Sequence, residues 1–368
     1  DCLLSRGLGD VYKRQGLRKR IALSLFTKLY AQQVARHELR TLFWECTLRC
    51  NLACRHCGSD CRVDTQQKDM PAKDFFRVLD TQITPHVDPH RVLVILSGGE
   101  VLVRADLERI GLELYKREYP WGIVTNGLAL DEKRFETLLR AGLHSITVSL
   151  DGFAEEHNYL RGNPRSFDTA WRAARMVAAE KSVASDVVTC VNARTLPRLK
   201  EFRDMLLDGG IRSWRIFTIF PVGRAAEDPS LQLSDEQFTA LMEFIAHTRK
   251  EGKIDISYGC EGFLGGYEAE VRDRFYQCQA GISVASIRVD GAISGCTSIR
   301  SNFHQGNIYT DDFWEVWQNR FDKFRNREWA HKGICANCKW FKYCLGNGMH
   351  LYGNDEELLL CHYNRLVR

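Results

Sequence analysis

Leu42-Phe43-Trp44-Glu45-Cys46-Thr47-Leu48-Arg49-Cys50-Asn51-Leu52-Ala53-Cys54-Arg55-His56-Cys57 joins a short apolar run to a CxxxCxxC cluster. The run reads as a strand and the cysteines as the loop that leaves it. Three thiolates on one loop can hold three corners of an iron–sulfur cube. Four-iron clusters usually take four thiolates, so a set of three leaves one iron open to bind and activate a ligand. Cys46 and Cys61 flank the motif, but only Cys50, Cys54 and Cys57 have x3 followed by x2 spacing. Cys46, and Cys190 in a later run, read as small buried apolar residues.

Outward from this loop, residues 40–224 alternate between two patterns. Apolar strand candidates lie at 41–46, 91–96, 121–125, 145–150, 186–191 and 214–220. Helical stretches fall near 72–84, 105–118, 131–141, 166–180 and 197–208. Strands alternating with helices imply parallel βα units, and strands buried on both faces read as continuous apolar runs. The expectation is an α/β fold, a partial (β/α)6 barrel of the TIM type. Such barrels keep their chemistry in the loops after the strands, which is where the unusual residues fall. Strand two is followed by Ser97-Gly98-Gly99-Glu100, strand three by Thr125-Asn126-Gly127 and strand four by Ser149-Leu150-Asp151-Gly152. Asn192 follows strand five and Pro221-Val222-Gly223-Arg224 follows strand six. The two glycines would let backbone approach a ligand closely, and Glu100 can accept from an ammonium. An ordinary turn with a solvated carboxylate is the bland alternative, and Ser149, Asn192 and Arg161 read equally well as turn formers or caps.

Composition sets the class. The 368 residues exceed one typical domain, and 44% hydrophobic with 27% charged residues is ordinary for a globular chain. A net charge of +4 points neither to nucleic acid nor to an acidic membrane. No apolar run approaches the roughly 18–20 residues of a spanning helix, and the Arg18-Lys19-Arg20 stretch lacks a cleavage site, so the protein reads as cytoplasmic. In that compartment fourteen cysteines, mostly in two groups, indicate metal rather than disulfides. Residues 1–15 (DCLLSRGLGDVYKRQ) read as a non-native, adapter-derived segment and are set aside with Cys2. Residues 16–39 are expected to form an amphipathic helix whose face of Ile21, Leu25, Leu29 and Tyr30 docks on the next domain, with a membrane surface as the alternative. A helix at 234–250, with Ser234 and Gln237 as a capping box, closes a first domain at 40–257.

The remainder, 258–368, carries the second cysteine group: Cys278, Gly291, Cys296, then Cys335, Cys338, Cys344 and Cys361. Its spacing is C-x12-G-x4-C, C-x2-C-x5-C and a last cysteine after sixteen residues. Four of these thiolates would also satisfy a tetrahedral zinc site.

The CxxxCxxC loop followed by Gly98-Gly99-Glu100 resembles the radical S-adenosylmethionine (SAM) enzymes, and the second group resembles their SPASM auxiliary-cluster domain. The full sequence is similar to the SPASM maturases of the radical SAM/lipoprotein systems. This resemblance implies a [4Fe-4S] cluster on Cys50, Cys54 and Cys57, and SAM at its open iron. It implies at least one auxiliary [4Fe-4S] cluster on Cys335, Cys338, Cys344 and Cys361, with Cys278 and Cys296 belonging to another. Ser97, Gly98, Gly99 and Glu100 would bind the methionine end of SAM, Ser149, Asn192 and Arg161 its ribose and carboxylate, and His56 would stack on the adenine. The 221–224 segment would read the adenine through its backbone. The activity implied is reductive cleavage of SAM to a 5′-deoxyadenosyl radical that modifies a peptide or protein, with a small lipoprotein as one candidate and a flavodoxin or ferredoxin as reductant. Two departures stand out: Gly348 replaces a cysteine that completes the first auxiliary cluster, leaving Cys260 or a non-cysteine ligand to substitute or the cluster absent, and Thr297 replaces the Asp used as base by the sulfatase-maturing relatives. A threonine hydroxyl is too weak a base for that step. An electron-transfer protein without SAM chemistry and a zinc-stabilised binding module remain as alternatives.

Overall fold

The structure, a computed structural model, describes residues 17–259 and 261–367. The adapter-like stretch with Cys2, and Cys260, lie outside the described residues. Seven strands run parallel in chain order: β1 (Thr41–Thr47), β2 (Leu93–Gly98), β3 (Trp121–Thr125), β4 (Leu143–Ser149), β5 (Ala184–Val191), β6 (Ser213–Thr218) and β7 (Asp255–Tyr258). Three more, β8 (Val284–Ile287), β9 (Ala292–Ser294) and β10 (Gly306–Asn307), extend the sheet from the free edge of β1. The order is β10-β9-β8-β1-β2-β3-β4-β5-β6-β7, so the barrel is open. The sheet continues past the expected domain boundary near 258, because β8 pairs in parallel with β1.

Between the strands lie α2 (Ala72–Val78), α3 (Leu107–Lys116), α4 (Glu132–Arg140), α5 (Ala154–Arg161), α6 (Ser166–Ala179), α7 (Leu199–Asp208) and α8 (Asp235–Glu251), with α1 (Leu17–Arg36) ahead of β1. The pleat sorts each strand into two rows. Leu42, Trp44 and Cys46 face the helices, where Trp44 stacks on Phe75 of α2 at 4.1 Å. Phe43 and Glu45 lie on the opposite face, toward the lumen, and a register shift after Glu45 breaks the alternation before Thr47. Burying a tryptophan against a phenylalanine contributes about 0.5–1.5 kcal/mol beyond its area alone.

All six expected strands form, within a few residues of their expected ends. Strand β7 was not expected: Asp-Ile-Ser-Tyr has only two apolar residues and pairs on one side only, so it lacks the continuous run of a doubly covered strand. Helix α5 was missed because its charged sequence buries only part of one face; Gly162, left-handed at φ 68°, ends it.

Helix α1 forms as expected but docks by the other face. Leu23 is buried with Phe263, Tyr276, Trp340 and Tyr363. Phe26 meets Phe275 at 5.5 Å, and Lys19 bonds the Gly266 carbonyl and Glu270. Of the four residues expected to dock, Ile21, Leu25 and Leu29 are 53%, 57% and 56% exposed, and Tyr30 alone turns inward, lining a cavity with Cys278. The helix is apolar on two sides, and its sequence alone does not rank them.

Candidate active site

The cysteine loop is rooted where β1 and β2 end. Gly98 adopts φ 126°, and a Cβ there would stand 2.0 Å from the Thr47 carbonyl oxygen. A Cβ on Gly99 would stand 2.1 Å from the Arg49 oxygen. The space the two glycines leave is filled by the backbone that begins the cysteine loop. Gly99 N–H donates to Thr47 O at 2.8 Å and Glu100 N–H to Arg49 O at 2.9 Å. The glycines were expected to admit a ligand; in the structure they first admit the neighbouring strand.

Glu100 is 1% exposed. Its carboxylate accepts from Leu102 N–H at 3.1 Å, Thr125 Oγ1 at 2.8 Å and Asn126 N–H at 2.7 Å, tying the loops after β2 and β3 together. Burial pushes its pKa up against these three bonds. A carboxylate offers about four acceptor sites, so little of Glu100 remains free. Asn126 reaches back to the cysteine loop, donating to Asn51 Oδ1 at 2.8 Å and approaching Cys50 Sγ at 4.0 Å.

Arg161, at the end of α5, is buried between a carboxylate and a thiol. Its Nε donates to Asp151 at 2.6 Å, and its Nη1 lies 3.8 Å from Cys54 Sγ. Burial alone would raise the Asp151 carboxyl, but Arg161, then His56 and His157, outweigh it and bring it down to about 2. Burial raises the Cys54 thiol, and Arg161 opposes that rise. At Cys57 the pKa falls to about 5, because the Cys61 thiol, and then its backbone N–H, donate to the sulfur against the push of burial.

The segment after β6 staples the loop from above. Arg224 donates from Nε to Cys54 O at 2.8 Å and from its backbone to Cys57 O at 3.1 Å. The expectation for this segment is backbone contact with adenine; the staple has no signal in the sequence, because the partners are 170 residues apart.

His56 lies beside Asp151 and Cys190, with one donor atom of each within 4.8 Å of the others. Its Nδ1 is buried without a partner, and burial lowers its pKa to about 4, so the imidazole is neutral. Cys190 packs among Leu160, Ile219, Ala225 and Leu231, as expected of a small apolar residue. Asn192 is buried and spends its side-chain oxygen on the N–H groups of Arg194 and Thr195. Ser149 stands buried at the end of β4.

The lumen wall beside the loop holds charge that the sequence did not reveal. Glu45 is fully buried, 2.7 Å from Arg300 and 3.7 Å from Arg288. Strand register sets Ser97 beside Glu45, and Ser286 beside both Phe43 and Ser294, in two neighbouring rows of one sheet face. The hydroxyls of Ser97, Ser286, Ser294 and Ser301 are buried without partners. Buried hydroxyls are ordinarily hydrogen-bonded, and so many in one wall mark a surface shaped for something polar.

In the C-terminal part, Cys335, Cys338, Cys344 and Cys361 line one small cavity walled by Phe263, Trp340, Phe341 and Tyr363. Cys278 lines a separate cavity of about 330 Å³ with Tyr30, Arg325, Arg327 and Asn347, which Cys344 also borders. Cys296 is raised chiefly by burial and further by nearby Cys278. At Gly348 a Cβ would stand 2.6 Å from the His350 ring and 3.1 Å from the Glu261 oxygen. A cysteine there would need His350 to move. Every described cysteine is a free thiol, and a set of three plus a set of four fits two iron–sulfur sites.

Two family models match: the radical SAM superfamily over residues 44–206, and SPASM, an iron–sulfur cluster-binding domain, over residues 278–339. This is a radical SAM enzyme with a SPASM domain. Its cofactors are a [4Fe-4S] cluster, SAM and auxiliary iron–sulfur clusters. The chain is similar to the AdoMet-dependent heme synthase of Oleidesulfovibrio alaskensis, 25% identical over 88% of this chain and 87% of that one. It is also similar to the mycofactocin maturase of Mycobacterium tuberculosis, 27% identical over 87% and 83%. Its fold matches SuiB of Streptococcus suis, solved with SAM bound, at TM-score 0.67 and 18% identity over 86% and 75% of the chains. Among the described residues, no helix is long and apolar enough to cross a membrane.

Proposed function

We propose that Cys50, Cys54 and Cys57 hold the SAM-cleaving cluster and that the enzyme modifies a peptide or protein. When bound, the cluster and SAM together supply reductive cleavage of SAM to a 5′-deoxyadenosyl radical that abstracts a hydrogen atom from substrate. The protein orients these groups and excludes water. One observation carries the reading: three free thiols on one loop, with Arg161 against Cys54, Asn126 reaching toward Cys50, and Arg224 bonded to the loop backbone.

Each residue then has a task. Arg161, fixed by Asp151, favours the thiolate at Cys54. Glu100 holds the loops after β2 and β3 in register and keeps one acceptor position for the SAM ammonium, beside Ser97, Gly98 and Gly99. Ser149 and Asn192, whose amide group remains available, face ribose and carboxylate; His56, neutral, offers its ring to adenine. Cys335, Cys338, Cys344 and Cys361 hold an auxiliary cluster, whereas Cys278 and Cys296 lack the partner that a cysteine in place of Gly348 would have supplied. A flavodoxin or ferredoxin is the proposed reductant, and the lumen wall of Glu45, Arg288 and Arg300 meets the substrate.

A peptide substrate is supported by the likeness to SuiB, which is also solved with its precursor peptide SuiA, and to the mycofactocin maturase. A small lipoprotein is the candidate within that class. The second reading is a tetrapyrrole, favoured by the relatives named heme synthase and Fe-coproporphyrin III synthase. The test is anaerobic reconstitution with iron and sulfide, reduction, and assay of 5′-deoxyadenosine from SAM. Wild type producing no more than Cys54→Ala would sink the proposal. Adding a candidate precursor peptide or Fe-coproporphyrin III to parallel reactions, and following each by mass, separates the two substrate classes.

A further inference from the structure

We propose that the outward face of α1 is a docking surface for an anionic phospholipid bilayer. The 20-residue helix contains no Asp or Glu, and carries Arg18, Lys19, Arg20, Lys28 and Arg36. Leu23, Phe26 and Tyr30 are turned toward the protein, where Leu23 is buried and Phe26 and Tyr30 line the cavity beside Cys278. On the opposite side Ile21, Leu25 and Leu29, each more than half exposed, recur every fourth residue and form one stripe along the axis.

At about 100° per residue, Arg18, Lys28 and Arg36 fall within about 60° of Leu25, on this same outward face. All three are exposed. Lys19 belongs to the docked side, bonded to Gly266 and Glu270. A helix that meets only water places polar groups outward. This one alternates aliphatic side chains with cations and has no carboxylate to repel a negative surface. That pattern suits a helix lying in the plane of a bilayer interface, with its aliphatics among the acyl chains and its cations among anionic headgroups. The occupant follows from charge complementarity: each cation near an anionic membrane strengthens binding roughly fivefold. The docked face anchors the helix to the SPASM part of the chain, so a bilayer bound outside would hold the whole enzyme at the membrane. None of these residues touches the cysteine loop, and the inference stands independently of the substrate reading.

The test is co-sedimentation of the full chain with vesicles of equimolar phosphatidylglycerol and phosphatidylcholine, and with vesicles of phosphatidylcholine alone, at moderate salt. The expected result is partition at least tenfold stronger on the anionic vesicles. It should fall at least tenfold in Ile21→Ser/Leu25→Ser/Leu29→Ser and also in Arg18→Gln/Lys28→Gln/Arg36→Gln. The second variant leaves the aliphatic contacts intact, and circular dichroism of both reports folding. Equal partition on the two vesicle types, no partition, or unchanged binding by the cation variant overturns the proposal. So does a dimer in solution that the aliphatic variant dissociates, because a second copy of the chain would then cover the stripe.

Discussion

Replacing Asp151 with Asn tests the buried ion pair that braces the cysteine loop. Asp151 is fully buried, and Arg161 spans the gap from it to Cys54. The carboxyl is brought to about 2 in the folded protein, from an ordinary 3.8. At about 1.4 kcal/mol per pH unit this difference corresponds to roughly 2.5 kcal/mol of stability. Removing one partner of a buried pair typically costs about 3–5 kcal/mol. Asp151 accepts from Arg161 at Oδ2 and from the Cys190 N–H at Oδ1. Asn keeps the shape but has one acceptor oxygen, so one of the two donors is left facing the amide NH2 and the expected loss is about 3–4 kcal/mol. The pH dependence has a definite sign. A folded pKa below the unfolded one stabilises fully above about pH 4 and loses that contribution as pH falls through about 2. Wild type and Asp151→Asn should therefore differ most near neutrality, with a gap that starts to narrow below about pH 4 and is smallest near pH 2. The assay is urea unfolding of the cluster-free protein under reductant, at pH 7 and at a descending series. A loss at pH 7 below about 0.5 kcal/mol, the worth of an exposed pair, would refute the reasoning, and so would a gap as large at pH 2 as at pH 7. Arg161→Gln completes a double-mutant cycle, in which the double variant should lose about 2 kcal/mol less than the sum of the singles.

Gly98→Ala and Gly99→Ala should each destabilise by at least about 2 kcal/mol, because a Cβ would enter the backbone at the root of the loop; urea midpoints check this, and values within about 0.5 kcal/mol of wild type would contradict it. Cys344→Ser should lower iron and sulfide per chain together while the three-thiol loop still loads; loss of zinc without sulfide, by metal analysis, would revive the zinc site. Gly348→Cys should add no iron, since the His350 ring stands where its side chain begins; a gain of about four irons would show that the ring yields. Arg300→Gln should leave slow SAM cleavage without substrate unchanged and cut substrate turnover at least tenfold, read by comparing 5′-deoxyadenosine with modified product.

The α/β barrel and its cofactor class were legible in the order of residues because both rest on local patterns. A parallel strand buried on both faces announces itself as an apolar run, and a three-thiolate site needs only eight consecutive positions, Cys50 to Cys57. The two cysteine groups likewise point to bound metal from spacing alone, with iron–sulfur and zinc both open at the second. Tertiary structure decided what depends on chain segments far apart. Gly98 and Gly99 are glycines because β1 leaves the sheet against them, which no window of sequence around them contains. Glu45, Arg288 and Arg300 become one charged wall only because β8 pairs beside β1. The same holds for α1. Its sequence has two apolar faces of similar strength, and only packing against Phe263, Tyr276 and Trp340 selects Leu23 over Leu25. Burial is a property of the whole sheet and its neighbours, so periodicity can propose a face but cannot choose between two.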